Sequence, residues 1–229
     1  MRNPGCRALP VIVLAALVCM NSARAETAST AADLQGAKRL AAYLWSRPMQ
    51  EIFFRLGMEQ DRKFGLQVDC KSQFELKPIN VVILSPIELP DDKPNPIKGS
   101  WLFRYAFARC GESKVYNAVL GANGEGGSPQ YQAYYPGATS AHPILVKDTM
   151  VAAMANAILR SDIKDCRSAE VLDMRVTDSP HTVKDGGKEF KGVWGETWTI
   201  KACEKAVDVP ITFTPDLGGG GTSFAIRLR

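Results

Sequence analysis

Hydrophobic positions recur with helical spacing in three places along the chain. Over residues 30–45 the series Leu34, Ala37, Leu40, Ala41 and Leu44 predicts a helix, with Ser29 or Thr30 able to cap its start. Ser46 and Pro48 mark a stop and a fresh start, because proline is tolerated in a first helical turn. The second helix is expected to run to about Lys63, bury Ile52, Phe53, Leu56 and Met58, and end at Gly65. A third is predicted over 147–160, where Met150, Val151, Met154, Ile158 and Leu159 form the stripe and Pro143 and Asp148 suit the beginning.

Between and after these helices the period shortens to two. Strands are predicted over 73–76, 80–88, 101–109, 115–120 and 130–135, then over 171–177, 193–201, 207–214 and 222–228. Asp91 to Pro96 has the composition of an exposed loop, and Asp178, Ser179, Pro180 and His181 read as a turn. A helix followed by an antiparallel meander of about four strands, twice over, predicts an α+β fold rather than a parallel α/β one.

The two halves also repeat residue by residue. Lys98, Gly99, Trp101, Tyr105 and Cys110 return as Lys191, Gly192, Trp194, Trp198 and Cys203, all at an offset of 93. The same offset carries Leu120 onto Phe213, Tyr131 onto Phe224, and Gly126 with Gly127 onto Gly219 with Gly220. Upstream, Cys70, Lys71 and Ser72 answer to Cys166, Arg167 and Ser168 at an offset of 96. Tryptophan and cysteine are rare, so their joint recurrence points to two copies of one unit. The expected organisation is residues 26–46 as an N-terminal helix, 47–137 as the first unit and 138–229 as the second, joined by the Pro136 and Gly137 stretch.

Residues 1–25 have the pattern of a secretory signal. Arg2 and Arg7 precede a short apolar run over 9–20, and Ala23, Arg24 and Ala25 form a small-x-small site, so cleavage is expected after Ala25 and the protein in the periplasm or outside the cell. A lipid anchor on Cys19 is the alternative, weakened by Val18 before it. Without that segment the 28 basic residues fall to 25, against 24 acidic, and no basic block argues for nucleic acid or an anionic membrane. No transmembrane segment is expected in the mature chain.

Four cysteines remain, and in an exported chain they imply two disulfides. Each copy holds one early and one late cysteine, so the expected pairs are Cys70–Cys110 and Cys166–Cys203, each closing its own unit. No CxxC spacing and only two histidines argue against zinc, and no cofactor motif is found. The glycine run over 218–221 lacks the Lys and Ser/Thr of a phosphate loop and reads as a hairpin turn.

Candidate chemistry lies where the copies differ. Trp194, Glu196, Trp198 and Ile200 share one strand face, as do Trp101, Phe103, Tyr105 and Phe107 in the first copy. Such a stripe is first of all a core face. Glu196 stands where the first copy has Phe103, so the scaffold does not require a carboxylate there. Trp194, Glu196 and Trp198 are therefore the candidate ligand-binding set, an aromatic platform for an envelope glycan or a peptide. Glu196 is also the candidate acid or base if the protein is a hydrolase, with Asp208 and Asp216 as unplaced partners. His181 with Asp178, Ser179 and Asp185 reads as turn chemistry rather than a triad, and His142 as a helix cap.

Trp194, Glu196, Trp198 and Cys203, followed by Phe213, Pro215, Asp216, Gly219, Gly220, Thr222 and Phe224, form a WxExW, Cys, FxPD, glycine-pair, TxF pattern. Over about 30 residues this resembles the C-terminal signature of uncharacterised exported proteins of Gram-negative bacteria. The resemblance implies the periplasm and carries no activity. Such proteins often have Gly after the cysteine, as at Cys110 and Gly111; Cys203 and Glu204 depart from that. The expectation is a non-enzymatic binding or interaction module of the cell envelope, with the hydrolase as its alternative.

Overall fold

The computed structural model describes residues 31–66, 71 and 74–227. The signal segment, Cys19 and Cys70 lie outside the described residues. The elements run α1 (Ala31–Leu44), α2 (Arg47–Lys63), β1 (Glu75–Glu88), β2 (Lys98–Arg109), β3 (Glu112–Gly121), β4 (Gln130–Tyr134), α3 (Pro143–Ser161), β5 (Ala169–Asp185), β6 (Lys188–Ala202), β7 (Lys205–Pro215) and β8 (Thr222–Ile226). They build an α+β fold of two antiparallel four-stranded sheets, in the orders β1-β2-β3-β4 and β5-β6-β7-β8, each preceded by a helix.

Each sheet buries one face under its own helix. In the first unit Trp101, Phe103, Tyr105 and Phe107 alternate inward from β2 and meet Met49, Ile52, Phe53 and Leu56 of α2. Phe53 stacks on Phe103 and Tyr105 with ring centroids 4.5 and 5.1 Å apart. In the second unit Trp198 and Ile200 of β6 and Val209, Ile211 and Phe213 of β7 pack beneath Val146, Met150, Ala153 and Ala157 of α3. The two clusters share no buried residue, so each unit has its own core.

Two local expectations are corrected. Segments 73–76 and 80–88 do not form separate strands, because β1 is continuous from Glu75 and absorbs Pro78 and Pro86 in register shifts. Asp178 to His181 is not a turn but part of β5, which carries one extra residue against β6 in the register shift between Asp178 and His181. The reason is the same in both. β1 and β5 are edge strands, where a proline without an N–H removes no ladder bond on the open side.

Cys166 and Cys203 form a disulfide with Cα atoms 5.9 Å apart, across 37 residues of sequence. Closing such a loop contributes about 4 kcal/mol in the chain-entropy account. The expected Cys70–Cys110 pair involves Cys70 and so falls outside the described residues; Cys110 itself is disulfide-bonded. The turns after β2 and β6 also explain the Gly111 and Glu204 difference. Cys110 and Cys203 both adopt positive φ, but position 111 adds φ +79 and requires glycine, whereas Glu204 has no positive φ.

Candidate functional site

The two units meet at the segment that joins them. Gly137 donates its N–H to the carbonyl of Val115 in β3 at 2.8 Å, and Ala138 donates to the carbonyl of Met174 in β5 at 2.6 Å. One residue apart, the chain is thus bonded first to one sheet and then to the other. Gly137 has φ +98, and a Cβ there would lie 2.1 Å from the backbone N of Met174, so no other residue fits between the sheets.

Side chains from both units fasten the same segment. From the outer face of the first sheet, Asn117 Nδ2 donates to the carbonyls of Tyr135 and Gly137, and Arg104 Nη1 donates to the carbonyl of Thr139 at 2.9 Å. From inside the second unit comes Glu196, 1% exposed. Its Oε1 accepts from Thr139 Oγ1 at 2.9 Å, from Ser140 N at 2.8 Å and from Trp194 Nε1 at 2.8 Å, while Oε2 accepts from Trp198 Nε1 at 2.8 Å. Four donors around one buried carboxylate satisfy a charge that would otherwise be costly to remove from water. In the first copy, where Phe103 replaces the glutamate, Trp101 Nε1 finds no acceptor among the described residues.

The predicted site residues are therefore brought together, but as a buried cluster. Trp198 is 0% exposed and Trp194 8%, and Trp194 stacks on Phe213 at 4.8 Å. Glu196 faces donors of its own chain instead of a solvent-filled cleft. Asp208, weighed as its acidic partner, accepts from Thr199 Oγ1 at 2.6 Å, and Thr199 projects on the sheet face opposite to Trp198 and Glu196. Asp216 sits at the β7–β8 turn, its N–H donating to the carbonyl of Gly221. No second carboxylate shares the Glu196 cluster among the described residues, so the two-carboxylate geometry of glycoside hydrolysis is not assembled there. His181 is exposed, its Nδ1 3.0 Å from the carbonyl of Ser179 and 3.5 Å from Asp178.

Two openings flank the fastened segment and share Ser140 and His142 at their rims. His142 caps α3, its Nδ1 accepting from Ile144 N at 3.4 Å. On one side is an open groove of about 660 Å³, bounded by Ile144, Leu145 and Asp148 of α3, the glycines of the β7–β8 turn, and Trp194. On the other is a cavity of about 350 Å³ against the outer face of the first sheet, reached by Arg104. Sequence reasoning missed Arg104, Asn117 and Thr139. A polar residue alternating with Phe103 and Tyr105 is the ordinary outer face of a strand, so Arg104 and Asn117 carried no signal of their own.

Among the described residues no group of three His, Cys, Asp or Glu side chains is placed to hold a metal ion, and no helix is long and apolar enough to cross a membrane. The chain matches no protein-family model, no curated protein and no solved structure.

Proposed function

We propose that the protein is an exported, non-enzymatic binding module of the cell envelope, and that it takes its ligand in the groove beside Trp194. The observation that carries this reading is the groove itself. It sets an indole edge and the apolar side chains of Ile144 and Leu145 against polar groups from Ser140, His142, Asp148 and Thr222, with a glycine turn leaving backbone accessible along one wall. A mixed aromatic and polar concavity of this size suits a sugar or short peptide. The leader-like first 25 residues and the WxExW to TxF pattern support a place in the periplasm.

Glu196 takes part by positioning. Its bonds to Thr139, Ser140 and Trp194 hold one rim of the groove and its indole in fixed relation. The ligand class favoured is an envelope glycan or its peptide, tested with soluble peptidoglycan fragments by calorimetry. Gly220→Trp is the blocking variant, because nothing lies within 4 Å of a Cβ at Gly220 and the new ring would fill the groove without disturbing the turn. Binding by the wild type with at least about tenfold loss in Gly220→Trp is expected. Equal binding by both proteins overturns the groove, and conversion of the fragments into new products overturns the non-enzymatic reading.

A further inference from the structure

The cavity on the other side of the joining segment has a different chemistry. Arg104 enters it from β2 and is 9% exposed. A guanidinium carries five N–H donors. Nε donates to Asn117 Oδ1 at 2.9 Å and Nη1 to the carbonyl of Thr139 at 2.9 Å, while Nη2 has no acceptor among the described residues. The cavity lining contains no Asp or Glu. Glu196 acts on Arg104 only through space, its oxygens being occupied by Thr139, Ser140 and the two indoles. Burial pushes the guanidinium pKa down and Glu196 opposes this, yet an arginine remains charged at neutral pH. A buried cation thus turns unused donors toward an opening large enough for a small molecule.

We propose that this cavity binds the carboxylate of a ligand with a short apolar body, the Nη2 edge of Arg104 taking the carboxylate and Val82, Leu102 and Val146 enclosing the apolar part. With Nδ1 of His142 accepting from Ile144, the neutral ring carries its proton on Nε2, which adds a donor at the rim. Arg104 is the one arginine or lysine in the lining, and its free guanidinium edge suits one carboxylate; a phosphate dianion would bring a second charge for which the lining holds no second cation. The site lies across the joining segment from the Trp194 groove, with Ser140 and His142 common to both rims, and goes beyond the function proposed for that groove. A free short-chain acid and the C-terminus of a peptide ending in an apolar residue both present this chemistry.

The test titrates the full chain with isovalerate and with acetyl-alanyl-leucine, each beside its primary amide, by calorimetry and by nitrogen–proton spectra that follow Arg104 Nε–H. Both acids, or one of them, are expected to bind and move that resonance, at least about tenfold tighter than the matching amide. The acid that binds tighter identifies the source. Val82→Trp fills the cavity from its wall with Arg104 in place and is expected to lose about tenfold or more; Gly220→Trp is expected to retain binding. Acid and amide binding alike, unchanged binding in Val82→Trp, or inorganic phosphate binding as tightly as the acids each overturns the proposal. No binding by either acid, with the Arg104 resonance unmoved, also overturns it and leaves the Trp194 groove to be judged by its own experiment.

Discussion

Thr139 donates its hydroxyl proton to Oε1 of Glu196 across 2.9 Å, and through that bond the segment between the units is fastened into the core of the second. The two residues are 57 apart in sequence. The glutamate accepts from two indoles and a backbone N–H as well, so it acts as a fixed acceptor around which the joint is built.

Glu196→Gln should therefore cost stability although it preserves shape. Whichever way the amide turns, its NH2 group meets a donor that the carboxylate had satisfied. The expected loss is about 2–4 kcal/mol, read as a lower urea midpoint. Glu196→Phe, which copies Phe103, removes the buried charge but leaves both indole N–H groups and the Thr139 hydroxyl without their acceptor, and should also destabilise. A wild-type midpoint for Glu196→Gln would show that the carboxylate does not fasten the joint.

Gly137 is the second fixed point. With φ +98 and a Cβ position 2.1 Å from Met174 N and 2.4 Å from Met174 O, Gly137→Ala must push the two sheets apart. The expected cost exceeds about 3 kcal/mol, whereas Gly220→Ala, with nothing within 4 Å, should leave the melting temperature unchanged. Thermal unfolding followed by circular dichroism separates the two outcomes; equal melting temperatures would contradict the close approach.

Much of this architecture is legible in the chain because it is local or duplicated. The stripe of Ile52, Phe53 and Leu56, the alternation through Trp101 to Phe107, and the echo of Cys110 in Cys203 each lie within one element or one offset, and the Cys166–Cys203 bond follows from the repeat. Glu196 was legible as the odd residue of its face but not as a clasp, since its partners Thr139 and Ser140 sit in a Pro/Gly-rich joint whose path no periodicity encodes. Pro180 made β5 look like a turn, because a strand position tolerant of proline depends on the sheet order, and that is a property of the assembled fold. Arg104 and Asn117 were silent for a related reason: an outward strand position looks alike whether it meets water or the neighbouring unit.

A second clasp, within the first unit, joins helix to sheet. Asp61 of α2 accepts from Arg109 Nη2 at 2.8 Å and from the hydroxyl of Tyr116, and its Oδ2 forms an ion pair with Arg109 Nε at 2.6 Å, all away from solvent. The second unit has Ala202 and Val209 at the positions of Arg109 and Tyr116, so its scaffold closes without such a network. Breaking one partner leaves the other charge buried, and Asp61→Ala is expected to cost about 3–5 kcal/mol. The paired variant Asp61→Leu with Arg109→Met should be more stable than either single variant in chemical denaturation. A double variant as weak as the sum of its parts would mean that the network is not a unit.

Asp173 of β5 supplies a pH dependence at the joint itself. It lies opposite Gly137, and burial raises its pKa above the ordinary carboxylate value, against the pull of Lys114, Arg175 and the N–H of Met174. A carboxyl whose pKa is higher folded than unfolded holds its proton longer in the native state. Its contribution is complete below the unfolded value, about 4, and is lost as pH rises through the folded one. At neutral pH the ionised Asp173 therefore works against the fold. Asp173→Asn is expected to raise the urea midpoint at pH 7, and the advantage should shrink to nothing as the pH is lowered below about 4, where both states of the wild type are protonated. A lower midpoint at pH 7 would mean that the attraction of Lys114 and Arg175 outweighs burial, and that the joint is held by the charge rather than despite it.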